Sequence, residues 1–204
     1  MSTKLENLFP TLICRGRLSG AAALNHALLK EIKDHSERDH MGREWSKQNY
    51  RGGYTSYGSL SDMHFRAPAF SRLSDLLQPR AEAFARAQGW RMKGLSLEMT
   101  ACWMNVMPRN TYHSLHLHPH SVISGAYYVA TPKGSVSLKL EDPRMACYMN
   151  APVREGKRAS LYHEIVPDAG TFVLFESWLR HEVPPNQSSQ PRVSISFNYS
   201  LEAK

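Results

Sequence analysis

The chain has 204 residues, of which 42% are hydrophobic and 21% charged, a balance that fits one globular domain and excludes a disordered chain. Its 25 Lys and Arg against 18 Asp and Glu give a net charge of +7, but the basic residues are scattered. Scattered charge disfavours a nucleic-acid partner, which needs a clustered stripe to track phosphates, and suits small anions such as dicarboxylates.

From Met1 to Cys14 there is one short apolar patch, Leu8 to Ile13, broken by Pro10, without the basic start or cleavage site of a secretory signal. No apolar run reaches the ~20 residues of a membrane helix, so no membrane partner is expected. Three widely spaced cysteines (Cys14, Cys102, Cys147), odd in number, suggest free thiols in a reducing compartment, with the cytoplasm as the expected setting.

Leu18 to Asp39 carries Ala22, Leu24, Leu28, Leu29 and Ile32 at helical spacing. Asn49 to Ser61 is too rich in glycine for a helix and too aromatic for a flexible linker, and reads as an ordered loop that either approaches a site or lies on the surface. A second helix is expected from Ala67 to Gln88, kinked or split at Pro79. From Gly94 the pattern changes to short runs rich in β-branched and aromatic residues: Leu95 to Val106, Val122 to Ala130, Ser135 to Glu141, Leu161 to Val166, Thr171 to Phe175 and Arg192 to Tyr199. Turn signals such as Pro132-Lys133-Gly134 and Pro184-Pro185-Asn186 separate them. Many short strands without intervening helices point to a sandwich or barrel. Several are apolar on both faces, which fits a jelly roll with one sheet covered by helices. The expectation is a single mainly β domain over 1–204, mostly helical over 1–93 and jelly roll over 94–200.

Four of the ten histidines fall between Tyr112 and His120. In an extended chain His116, His118 and His120 project to one side and His113 to the other. Imidazoles at alternate positions can share an iron, zinc, copper or nickel ion, whereas a lone histidine on a strand is more often an ordinary core or surface residue. The third ligand is expected to be His181, at the end of the apolar run from Ala169 and just before the Pro184-Pro185 turn. His163 is a weaker candidate, and Glu182 points to the opposite face. Structural zinc is disfavoured because cysteine is scarce and unpaired.

Eleven residues beyond His181 stands Arg192, read as the start of a strand paired with the one ending at His181. Arg192, Ser194, Ser196 and Asn198 share one face, and Val193, Ile195, Phe197 and Tyr199 the other. An arginine fork with a hydroxyl two residues on can hold a carboxylate bidentately, and alone it would more often be a surface ion pair.

His116-x-His118, the distal His181 and Arg192-x-Ser194 resemble the active-site order of 2-oxoglutarate- and iron(II)-dependent oxygenases. Trp103-Met-Asn105, His118 to Tyr128, Glu141-Asp-Pro-Arg144, His181-Glu-Val-Pro184, Leu8-Phe-Pro-Thr11 and Arg51 to Tyr57 are similar to a bacterial and phage family of such enzymes, so the resemblance spans most of the chain. It implies a double-stranded β-helix core and Fe(II) held by His116, His118 and His181. It also implies 2-oxoglutarate as co-substrate, its far carboxylate on Arg192 and Ser194. The usual His-x-Asp/Glu pair is replaced here by His-Leu-His, which leaves open whether the third ligand is His118 or a carboxylate such as Asp142. The resemblance implies no substrate, small molecule or protein. Hydroxylation is the expected outcome, with desaturation and demethylation open, as is association into a homo-oligomer. Two other readings compete: a cupin-type three-histidine enzyme without 2-oxoglutarate, in which Arg192 has no role, and a jelly-roll binding module without catalysis.

Overall fold

The computed structural model describes residues 2–149, 152 and 160–204. Among the described residues, ten strands form two antiparallel sheets. The larger has the order β1 (Ile13–Arg17), β8 (Thr171–Glu176), β5 (Ile123–Ala130), β10 (Arg192–Ala203), β3 (Leu95–Met107) and β2 (Tyr54–Thr55). The smaller has the order β4 (His113–His116), β9 (His181–Val183), β6 (Leu138–Glu141) and β7 (Tyr162–Ile165). The expectation of a mainly β fold with helices on one sheet is met. The N-terminal region also supplies both edge strands of the larger sheet, β1 and β2. These are five and two residues long and too short to stand out as a pattern.

The strands alternate their side chains between two cores, as the period of two requires. On β10, Val193, Ile195, Phe197 and Tyr199 face outward into the core beneath the helices. That core is closed by α1 (Ala21–Arg38) and by a second helix, Pro68–Ala87. On the latter, Phe70, Leu73, Leu77, Ala81 and Phe84 recur every three or four residues and are all buried. Each large apolar side chain buried there contributes roughly 1.5–3 kcal/mol. Of the two outcomes expected at Pro79, a split into two shorter helices is not found: one helix runs through it. Pro79 lies on the exposed face, where water can satisfy the carbonyl that the missing N–H leaves unpaired.

The second core lies between the sheets. Val173 and Phe175 of β8 meet Leu138, Leu140, Ile165, Leu179 and Val183. Among the described residues no helix is long and apolar enough to cross a membrane. Cys14 and Cys102 are free thiols; the side chain of Cys147 lies outside those described.

A helix not foreseen from the sequence, α2 (His40–Asn49), leads into the glycine-rich loop. Asp39 ties the two together. Its carboxylate accepts hydrogen bonds from the Gly42 N–H at 2.9 Å, the Tyr54 hydroxyl at 2.8 Å and the Ser59 hydroxyl. One buried side chain therefore caps the helix and anchors the loop.

Candidate active site

Between the sheets opens a cavity of about 510 Å³, lined by residues of β3, β4, β5, β8, β9 and β10, by α2 and by the loop from Asn49. His116 and His181 face each other directly across the β4–β9 ladder, which brings their rings to 4.3 Å between centroids. His118 lies two residues beyond the end of β4, where its backbone N–H donates to the Ser177 carbonyl at 3.1 Å. Its ring lies 5.1 Å from that of His116 and 5.2 Å from that of His181. One ring nitrogen from each of the three lies within 4.8 Å of the others.

The tautomers favour this grouping. His116 Nδ1 donates to the Ser114 carbonyl at 2.6 Å, and His181 Nδ1 to the Leu179 carbonyl at 2.8 Å. A carbonyl only accepts, so both protons sit on Nδ1 and each Nε2 lone pair is free for a metal. Burial, reinforced by the neighbouring imidazole of His116, pushes His118 down to about 4 and His181 down to about 3. Both are neutral at pH 7, as metal ligands must be.

The other candidates lie elsewhere. His163 is exposed on β7 and lines a separate cavity, together with Asp142. The Asp142 carboxylate binds Arg144 through Nε at 2.9 Å and Nη2 at 2.6 Å, and accepts from the Tyr148 hydroxyl at 3.1 Å. His120 is exposed in a turn with φ 69°. His113 departs from its expected parity. A register shift between His113 and His116 turns both toward the cavity, because a bulge adds a residue and cancels the alternation.

Arg192 is 2% exposed and lines the same cavity with Ser194. Its strand pairs with β3 and β5, not with the strand carrying His181. The turn at 177–180, closed by Leu179 N–H to the Glu176 carbonyl at 3.0 Å, moves the chain from the larger sheet to the smaller. Arg192 and His181 thus belong to opposed sheets with the cavity between them. The guanidinium sits over the Tyr128 ring at 5.1 Å, and its Nη1 donates weakly to Met107 Sδ at 3.1 Å and to Ser194 Oγ at 3.3 Å. Its Nε is buried without a hydrogen-bond partner, and among the described residues it makes no ion pair. A buried, uncompensated guanidinium is costly unless an anion joins it. Three convergent imidazoles and this cation fit a metal ion and a dicarboxylate.

Residues 101–198 match the model of a family described as "Putative 2OG-Fe(II) oxygenase". They form a 2OG-Fe(II) oxygenase domain. The protein is an oxidoreductase that uses iron and 2-oxoglutarate. No curated protein matches the oxygenase. Among solved structures it is similar to a prolyl-4-hydroxylase from Pseudomonas putida, with a TM-score of 0.61 and 16% identity over 93% of this chain and 92% of that one. HygX from Streptomyces hygroscopicus, with nickel, 2-oxoglutarate and hygromycin B bound, scores 0.60 at 12% identity, over 93% and 83%. A prolyl hydroxylase from Trichoplax adhaerens, in complex with a hypoxia inducible factor peptide fragment, scores 0.57 at 14% identity, over 92% and 83%. At such identities the likeness shows the fold of the oxygenase.

Some lining residues escaped the sequence reading. Tyr50, at the end of α2, shares a 2.8 Å hydrogen bond between its hydroxyl and His113 Nε2. Thr55 donates to Asn105 Oδ1 at 2.8 Å, and Asn105 Nδ2 donates to Ser196 Oγ at 3.0 Å. Tyr128 and Trp103 belong to segments that carry the family resemblance, but nothing in their spacing assigns them to the cavity.

Proposed function

We propose that the oxygenase is a hydroxylase in which His116, His118 and His181 hold the iron and Arg192, with Ser194, holds the far carboxylate of 2-oxoglutarate. The observation that carries this reading is the buried Arg192 without an acidic partner, on the same cavity as three convergent imidazoles. When bound, the iron and its co-substrate supply oxygen insertion: dioxygen gives one atom to a C–H bond of the substrate and one to 2-oxoglutarate, which leaves as succinate and carbon dioxide. Two of the similar structures are named as prolyl hydroxylases, which favours hydroxylation over desaturation or demethylation.

The chain's own residues position and shield. Nδ1–H bonds from His116 and His181 to backbone carbonyls hold both rings in place. The Arg192 fork and Ser194 hydroxyl would orient the co-substrate from the facing sheet, while Phe175, packed 4.8 Å from the His181 ring, shields that ring from water. Met107 and Val193, on the two faces of the larger sheet, tie the helical region and the sheets into one working domain. The free thiols of Cys14 and Cys102 accord with a cytoplasmic setting.

The test is anaerobic binding of 2-oxoglutarate to Fe(II)-loaded protein, followed by oxygen-dependent formation of succinate. Binding followed by succinate formation supports the reading. A protein that takes up metal but binds no 2-oxoglutarate fits the cupin-type alternative instead.

A further inference from the structure

We infer that the primary substrate is a small ring-bearing anion, seated against an aromatic clasp at the cavity mouth with its negative group on Arg51. This rests on the oxygenase reading above and adds the chemistry of the substrate. The first observation is charge. Arg192 and Arg51 line the cavity, and no Asp or Glu does among the described residues. A divalent metal on three neutral imidazoles keeps its full charge, whereas a carboxylate ligand would remove one unit. With Arg192 and Arg51 the charge around the cavity is +4, and 2-oxoglutarate, a dianion, leaves +2. An anionic substrate offsets part or all of that remainder; a cationic one meets like charge with nothing to offset it.

The second observation is shape. Trp45 and Tyr57 meet edge-to-face with ring centroids 6.2 Å apart, Tyr57 and Trp103 likewise at 5.2 Å, and Trp103 lies 5.7 Å from the ring of His118. Aromatic faces therefore line the way from the mouth to the candidate metal ligands, a surface that holds a flat apolar body well. The clasp is braced. A Cβ on Gly58 would stand 2.9 Å from the Trp45 ring, and Ser59 beside it is bonded to Asp39. Arg51 stands on the same loop, is exposed, and makes no hydrogen bond or ion pair through its side chain among the described residues. A free guanidinium beside an aromatic slot recognises an anion joined to a ring.

The test uses the full chain loaded with Ni(II) and 2-oxoglutarate without oxygen, and reads the fluorescence of the cavity tryptophans. The probes share one ring and differ in charge: phenylacetate, phenyl phosphate, neutral phenylacetamide and cationic phenethylamine. The expected result is about tenfold tighter binding of an anionic probe than of the amide, the two anions separating a carboxylate from a phosphate group. Arg51→Gln should remove that preference and leave amide binding unchanged. 2-Oxoglutarate binding is measured separately on the same samples by calorimetry. If 2-oxoglutarate binds but no probe does, or the amide or amine matches the anions, or Arg51→Gln keeps the preference, this inference is overturned and the oxygenase reading stands. If 2-oxoglutarate itself fails to bind, both fall.

Discussion

Replacing Arg192 with Met separates a binding role from a structural one, because the two predict opposite changes in stability. The guanidinium is 2% exposed, and its nearest polar contacts are a thioether and a hydroxyl at 3.1 and 3.3 Å. Its Nε has no partner. A buried polar group left unsatisfied costs about 1–3 kcal/mol, more when charged. Methionine keeps much of the stem's apolar packing, so Arg192→Met should stabilise the protein by about 1–3 kcal/mol in the absence of 2-oxoglutarate. The same change removes charge-assisted contacts contributing about 1.5–3 kcal/mol to a carboxylate, so 2-oxoglutarate should bind at least tenfold more weakly. Arg192→Lys should recover little, since an ammonium lacks the planar fork. Urea unfolding of the ligand-free protein and anaerobic calorimetry of the metal-loaded protein read the two effects. A destabilised Arg192→Met that binds 2-oxoglutarate as tightly as the parent would refute the reasoning.

Three further outcomes are expected. Elemental analysis should find one metal ion per chain in the parent; His181→Ala should lose it, whereas His163→Ala, altered on the exposed face of β7, should keep it; equal metal in both would remove His181 from the site. Gly125→Ala should lower stability by about 1–3 kcal/mol, seen as an earlier urea midpoint, because its Cβ would stand 2.5 Å from the Phe197 ring and 2.6 Å from the Val173 carbonyl. Metal-free protein should weaken in acid. His181 is held down to about 3 when folded and titrates near 6.5 when unfolded, so the unfolded chain binds more protons between these values. Its contribution is present above about 6.5 and lost as pH falls, amounting to about 2 kcal/mol by pH 5; His181→Phe should remove this share of the dependence in urea titrations and leave that of the likewise depressed His113 and His118.

The strand β10 was readable because a period of two with an apolar face and a polar face has one packing solution. Val193, Ile195, Phe197 and Tyr199 are buried under the helices, while Arg192 and Ser194 line the cavity. The same rule misread His113, since a bulge adds a residue without marking itself in the residue types. It also misjudged the partner of the Arg192 strand. The run from Ala169 to His181 reads as one apolar strand, yet the chain turns after Glu176 and changes sheet. Pro79 illustrates the converse: a helix breaker is tolerated where its unpaired carbonyl faces water. The Tyr50–His113 pair joins residues 63 positions apart, and no local pattern reports such a contact.

The position of His116 on β4 bears on how the protein survives without its metal. β4 is four residues long, stands at the edge of the smaller sheet, and is hydrogen-bonded to β9 alone. An ion shared by His116 and His181 would act as a rivet through this outermost ladder, closing a loop of more than sixty residues between them. Withdrawn, it leaves a short border strand free to fray and to present its unpaired backbone to a second molecule. Chelation would then endanger solubility as well as catalysis, and the apoprotein would be the form prone to self-association.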